Sequence, residues 1–169
     1  ISCLKRWPRE KGVRHRVVGY LHQMVQILNE TIVPYLPDAV DSLRSNGTNS
    51  KELGETLVLI NQLSNTFKEA LLPMIAPLFL PLRLQVHENI RAGFSQSASS
   101  DEFTRESHEL ERNWIQTVNT FALTSLLSTL LAANAEARDL CLAELVENAK
   151  THSSISIRKL CLQALKHIT

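Results

Sequence analysis

The chain has 169 residues, 44% of them hydrophobic, with five Gly, six Pro and a formal net charge of +1. So few helix breakers among abundant Leu, Ala, Gln, Asn, Glu and Arg favour helix almost throughout, and the apolar share is ample for a core. The near-neutral balance excludes a strongly basic, self-contained nucleic-acid module. No apolar run reaches the length of a bilayer crossing: Leu71 to Leu84 comes nearest, and three prolines and Arg83 interrupt it.

Charge is unevenly distributed. Lys5, Arg6, Arg9, Lys11, Arg14 and Arg16 face only Glu10 in the first sixteen residues, which leaves +5 there and −4 over the rest. Residues 1–12 read as a basic N-terminal stretch, either solvated or able to attract polyanions. The chain starts at Ile1 with neither an initiator Met nor a signal-peptide pattern, as expected of a piece of a longer protein.

Val17, Tyr20, Leu21, Met24, Val25 and Leu28 follow helical spacing from Val13 and predict a first helix ending near Asn29, with one buried stripe. Thr31 is placed to cap a second helix carrying Pro34 in its first turn, where the amide that proline lacks has no intrahelical acceptor. Leu36, Val40 and Leu43 then face inward, and Ser45-Asn46-Gly47 suits a left-handed C-terminal turn. Together these make a first pair over about 13–47. Asn49 and Glu52 form a capping pair for a third helix, with Leu53, Leu57, Ile60, Leu63 and Phe67 as its stripe, running to about Ala70. The fourth carries Pro73, Pro77 and Pro81; each proline after the first removes a backbone hydrogen bond, which predicts a bent or broken helix extending toward Arg91. The second pair therefore covers about 49–92.

Residues 92–100 are small and polar and read as a mobile loop. Ser99 with Glu102 offers a second capping box, after which Phe103, Leu110, Trp114, Val118 and Phe121 mark a long helix with these aromatics on its buried side. A short helix with an apolar face of Leu126, Leu127, Leu130 and Leu131 follows, from Leu123 to Ala133, then another over Ala135 to Lys150. They complete a third unit over about 101–151. Ser153 or Ser154 starts a last helix, 153–169, without a partner in the sequence.

Val33-Pro34-Tyr35-Leu36 and Leu72-Pro73-Met74-Ile75 open helices about 40 residues apart, a period that marks stacked helix pairs. Arg138-Asp139-Leu140-Cys141-Leu142 returns at half that spacing as Arg158-Lys159-Leu160-Cys161-Leu162. Cys141 and Cys161 thus occupy equivalent, inward positions, as small buried hydrophobes of a reducing compartment. The fold class that follows is all-α, an α-solenoid of HEAT-type antiparallel helix pairs, an architecture that offers an extended binding surface.

Chemistry is missing from this pattern. No elbow or His-containing motif surrounds a Ser or Cys nucleophile, and no Gly-rich loop could cradle a phosphate, so the chain reads as no enzyme and calls for no cofactor. His15 and His22 are seven apart, and His108, His152 and His167 are scattered, which gives no metal-ligand spacing. Asp101, Glu102, Glu106, Glu109 and Glu111 alternate with Arg105 and Arg112 and read as a solvated helix face. Two sequons, Asn29-Glu30-Thr31 and Asn46-Gly47-Thr48, lack a disulfide framework or signal that would make them meaningful. What remains is recognition. Folded RNA is read by shape and backbone charge, and Arg44, Arg83, Arg91, Arg138 and Lys150 fall on the second helices of the pairs, the set that lines the inside of such arrays. They are the RNA-binding candidates.

Arg14-His15-Arg16-Val17 with Leu21-His22-Gln23-Met24, then Val33-Pro34-Tyr35-Leu36-Pro37, then Leu59-Ile60-Asn61-Gln62-Leu63 through Phe67-Lys68 resemble, in order and spacing, the exportin-T family of tRNA export receptors. That family belongs to the importin-beta superfamily of nuclear transport receptors built of HEAT repeats. The resemblance is best over Arg14 to Leu84. It implies a receptor that binds tRNA together with Ran-GTP in the nucleus, passes the nuclear pore proteins, releases its cargo in the cytoplasm and inserts in no membrane. Family members bind the GTPase mainly through earlier repeats, so this piece alone is expected to bind Ran weakly or not at all. The alternative is a HEAT scaffold whose inner surface meets polypeptide, as in protein-cargo karyopherins and phosphatase scaffolds.

Overall fold

A computed structural model describes residues 2–45, 49–96 and 101–168. They form helices α1 (Ser2–Arg6), α2 (Lys11–Leu28), α3 (Leu36–Arg44), α4 (Ser50–Phe67), α5 (Leu72–Gln96), α6 (Asp101–Leu123), α7 (Leu126–Ala133), α8 (Ala135–Thr151) and α9 (Ile155–Ile168), with no strand among the described residues. First helices stack in chain order, α2 on α4, α4 on α6 and α6 on α9, while α3, α5 and the α7–α8 segment form a second rank. Each member of the second rank also packs on the next first helix, as α3 does on α4, α5 on α6 and α8 on α9. This is an all-α solenoid.

The period of the sequence is built into direct bonds. His15 Nδ1 lies 3.1 Å from Glu55 Oε2, His22 Nδ1 meets Gln62 Oε1, and Gln62 Nε2 donates to the His22 carbonyl at 3.2 Å, all across an offset of 40 residues. A constant offset means that α2 and α4 run parallel, one repeat apart. The turn after each first helix also recurs: Asn29 (φ 47°) ends α2 and Lys68 (φ 46°) ends α4. Each opens a 3-10 segment, Asn29–Tyr35 and Lys68–Leu71, that delivers the chain to a second helix.

The core runs the length of the stack. Leu53, Leu57, Ile60, Leu63 and Phe67 are buried, as their spacing requires, and so are Leu126, Leu127, Leu130, Leu131, Cys141 and Cys161. Phe79 of α5 meets Trp114 and Phe121 of α6 with ring centroids 5.8 and 6.3 Å away. Farther along the same antiparallel pair Gly93 faces Ser107, where a Cβ would lie 1.9 Å from the hydroxyl oxygen, so a side chain there would force that hydroxyl to turn away. The Asn49–Glu52 capping box forms, with Asn49 Oδ1 accepting the Glu52 amide at 2.9 Å. Asn134 caps α8 in the same manner, accepting the Ala137 amide at 3.0 Å.

Several expectations change. Tyr20 is 62% exposed and Leu28 is also outside, whereas Val18 and Arg14 are buried: the interior side of α2, on which α1 and α4 both pack, is rotated from the stripe read in the sequence. Pro34 lies within the 3-10 segment rather than in a helix capped by Thr31, and α3 begins two residues later. The prolines of α5 do not break it. Pro77 and Pro81 are both exposed, so the carbonyls they leave unbonded in the preceding turn face water, and the helix continues through residues 92–96 of the expected loop. The rest of that loop, Ser99 of the proposed capping box, and Asn46-Gly47 lie outside the described residues. Phe103 is 42% exposed rather than buried. The helical path Ser50–Gly93 contains a window of mean hydropathy 1.3, long and apolar enough to cross a bilayer by composition, contrary to the sequence reading. Its Leu53, Leu57, Ile60, Ile75, Phe79 and Leu82 are core side chains here.

Candidate nucleic-acid interface

The second rank of helices carries the candidate cations, and its geometry follows from a few bonds. Gln85 Nε2 of α5 donates to the Arg44 carbonyl at the end of α3, 3.0 Å away. On the other side of α5, Glu144 of α8 accepts from Arg83 Nε at 2.9 Å and lies 3.2 Å from His87 Nε2. Since α5 is antiparallel to α6, and α6 to α8 through Trp114–Glu144 and Glu111–His152, α5 and α8 run in the same direction. Arg44, Gln85 and Glu144 therefore mark one level across three neighbouring helices.

The five sequence candidates distribute about that level. Arg44 is partly exposed and donates through Nη2 to Asp41 at 2.8 Å, one turn back on α3. Arg83 is spoken for by Glu144, with 14% of its side chain exposed against 11% for its partner. Arg91 is exposed near the end of α5, and Lys150 is exposed on the last turn of α8. Lys150 comes six residues after Glu144, and Arg91 comes four after His87, which places both about 6–9 Å beyond that level at 1.5 Å per residue. Arg138, paired with its neighbour Asp139 at 3.1 Å, precedes Glu144 by six residues and stands toward the opposite end. Thus the fold aligns Arg91 with Lys150, leaves Arg44 nearby, sets Arg138 apart and turns Arg83 inward.

Glu144 is the residue that sequence reading missed. Its carboxylate gathers Arg83, His87 and the indole N–H of Trp114 at 2.8 Å, joining α5, α6 and α8. Burial pushes its pKa up, but the His87 hydrogen bond and charge, the Arg83 charge and the Trp114 hydrogen bond outweigh that and hold it below the usual 4.5. No local motif announces such a group, because its partners come from 30, 57 and 61 residues away. His15 and His22 were legible in principle, since each sits one repeat period from its acceptor. Arg14, counted among the N-terminal cations, is buried: it donates to the Pro8 carbonyl at 3.1 Å and to the Leu43 carbonyl, and its Nε lies 3.4 Å from Glu52. The inner thiols are buried, and that burial is foremost in raising Cys141 to about 12 and Cys161 to about 11.

The Exportin-T family model matches residues 1–169. Among curated proteins, Exportin-T of Arabidopsis thaliana is 29% identical over 166 residues, covering 96% of this chain and 17% of that protein. Exportin-T of Oryza sativa subsp. japonica is 28% identical and that of Homo sapiens 24%, each covering 99% of this chain and 17% of the relative. The chain thus spans about a sixth of the length of the relatives it matches. No solved structure matches it. With the family model extending from its first residue to its last, over helices stacked at the 40-residue period of its own sequence, the chain belongs to the Exportin-T family.

Proposed function

We propose that the chain forms part of the wall of a nuclear export receptor for tRNA, a karyopherin that shuttles between nucleus and cytoplasm. The family match over all 169 residues carries the reading. Its role is binding, not catalysis. A-form RNA presents phosphates and 2′-hydroxyls rather than a readable major groove, so a solenoid wall engages it through shape and distributed charge. Arg91 and Lys150, level with each other on α5 and α8, with Arg44 on α3, supply that charge; Arg138 lies farther out. Ran-GTP binds mainly through repeats outside this chain, and tRNA and the GTPase raise each other's affinity through the shared solenoid. Passage through the pore brings the receptor against nuclear pore proteins.

The test is affinity of the full-length protein for folded tRNA, with Ran-GTP present, as a function of salt. Phosphate contacts predict a steep fall of affinity with rising salt, and reversal of charge at both Arg91 and Lys150 should weaken binding while helicity is kept. A protein scaffold instead predicts no tRNA affinity at any salt, and that result would move the chain to the polypeptide-binding reading.

A further inference from the structure

Resting on the tRNA-receptor reading, we infer that His87, Arg91 and Ser95 form a contact for one phosphate of the RNA backbone. The three recur at intervals of four along α5 and so share one ridge of that helix. With Ile90 they line a single shallow recess. Arg91 is exposed and makes no ion pair among the described residues, even though Glu88 stands only three positions before it. His87 Nε2 faces Glu144 at 3.2 Å, so Nδ1 can donate to an incoming anion only when the ring carries both protons. Ser95 Oγ donates to the Arg91 carbonyl at 2.9 Å, and this hydroxyl can turn to donate to an anion instead.

A guanidinium, an imidazolium and a hydroxyl on one ridge are a set of donors suited to phosphate oxygens. The recess is open rather than enclosed, which fits a strand of backbone crossing the helix and not a small anion trapped within it. Glu88 and Glu147 each precede a cation by three residues, Arg91 on α5 and Lys150 on α8. Each carboxylate offsets part of the charge of the cation on its own helix.

The experiment measures tRNA affinity of the full-length protein across a salt series. Arg91→Gln should weaken binding about fivefold and make the slope of log affinity against log salt shallower by about one. Ser95→Asp, which sets a carboxylate in the recess, should weaken it about tenfold while the melting temperature holds. Parental affinity and slope in both variants would overturn the phosphate contact and leave the receptor reading standing. If the unsubstituted protein has no salt-dependent affinity for tRNA, the receptor reading fails and this contact with it.

Discussion

Arg83 and Glu144 are 61 residues apart in sequence and 2.9 Å apart in space. Their bond spans two helices of the second rank, and Trp114 reaches the same carboxylate from the first rank. One acidic side chain therefore fixes how two successive repeats sit on each other. Arg83, a candidate cation in the sequence, is thus part of the frame that positions its neighbours.

Glu144→Ala should be costly. It would leave the Arg83 guanidinium and the Trp114 indole N–H without their acceptor in a largely buried place, a loss of about 3 kcal/mol. Urea unfolding would show it as a lower midpoint, and an unchanged midpoint would remove Glu144 from the frame. Arg83→Glu should fail in the same direction, because it sets two carboxylates against each other.

The same site makes stability depend on acid. Glu144 titrates below 4.5 in the folded chain, so its stabilisation is fully present above that value and disappears as pH falls through the lower, folded pKa. Compared by thermal unfolding, the parental protein and Glu144→Gln should differ most near neutrality, and the gap should narrow as pH falls below 4.5. A gap that widens toward acid would contradict this sign.

Thiol chemistry should be confined to Cys3. That residue is exposed, while Cys141 and Cys161 are buried with pKa values near 12 and 11. Iodoacetamide at pH 8 should alkylate Cys3 alone in the native protein and all three residues in denaturant, as peptide mass spectrometry would report. Rapid native labelling of Cys161 would show that α8 and α9 are not packed as described.

Arg14 holds the first repeat together from inside. Its guanidinium satisfies carbonyls at Pro8 and Leu43 and faces Glu52, so Arg14→Ala should cost about 3 kcal/mol, far more than Arg16→Ala on the exposed side of the same helix. Equal melting temperatures for the two variants would make Arg14 an ordinary surface cation.

Helix, repeat period and the Asn49–Glu52 cap were legible in the sequence, while the cap expected at Thr31 did not form. They depend on local quantities: the 3.6-residue spacing of Leu53, Leu57, Ile60 and Leu63, the Asn49–Glu52 pair, and the return of a proline-opened helix after about 40 residues. Inward placement of Cys141 and Cys161 followed from the same periodicity. Which polar groups meet was decided only when the helices stacked, because the partners of Glu144 and Arg14 lie on elements far away in sequence and no local pattern ranks one distant acceptor above another. The rotation of α2 that exposes Tyr20 and buries Arg14 was likewise set by α1 and α4 closing over it. Periodicity says that a helix has a side to hide; the neighbours it packs on determine which cations are consumed within the stack and which, like Arg91 and Lys150, stay exposed.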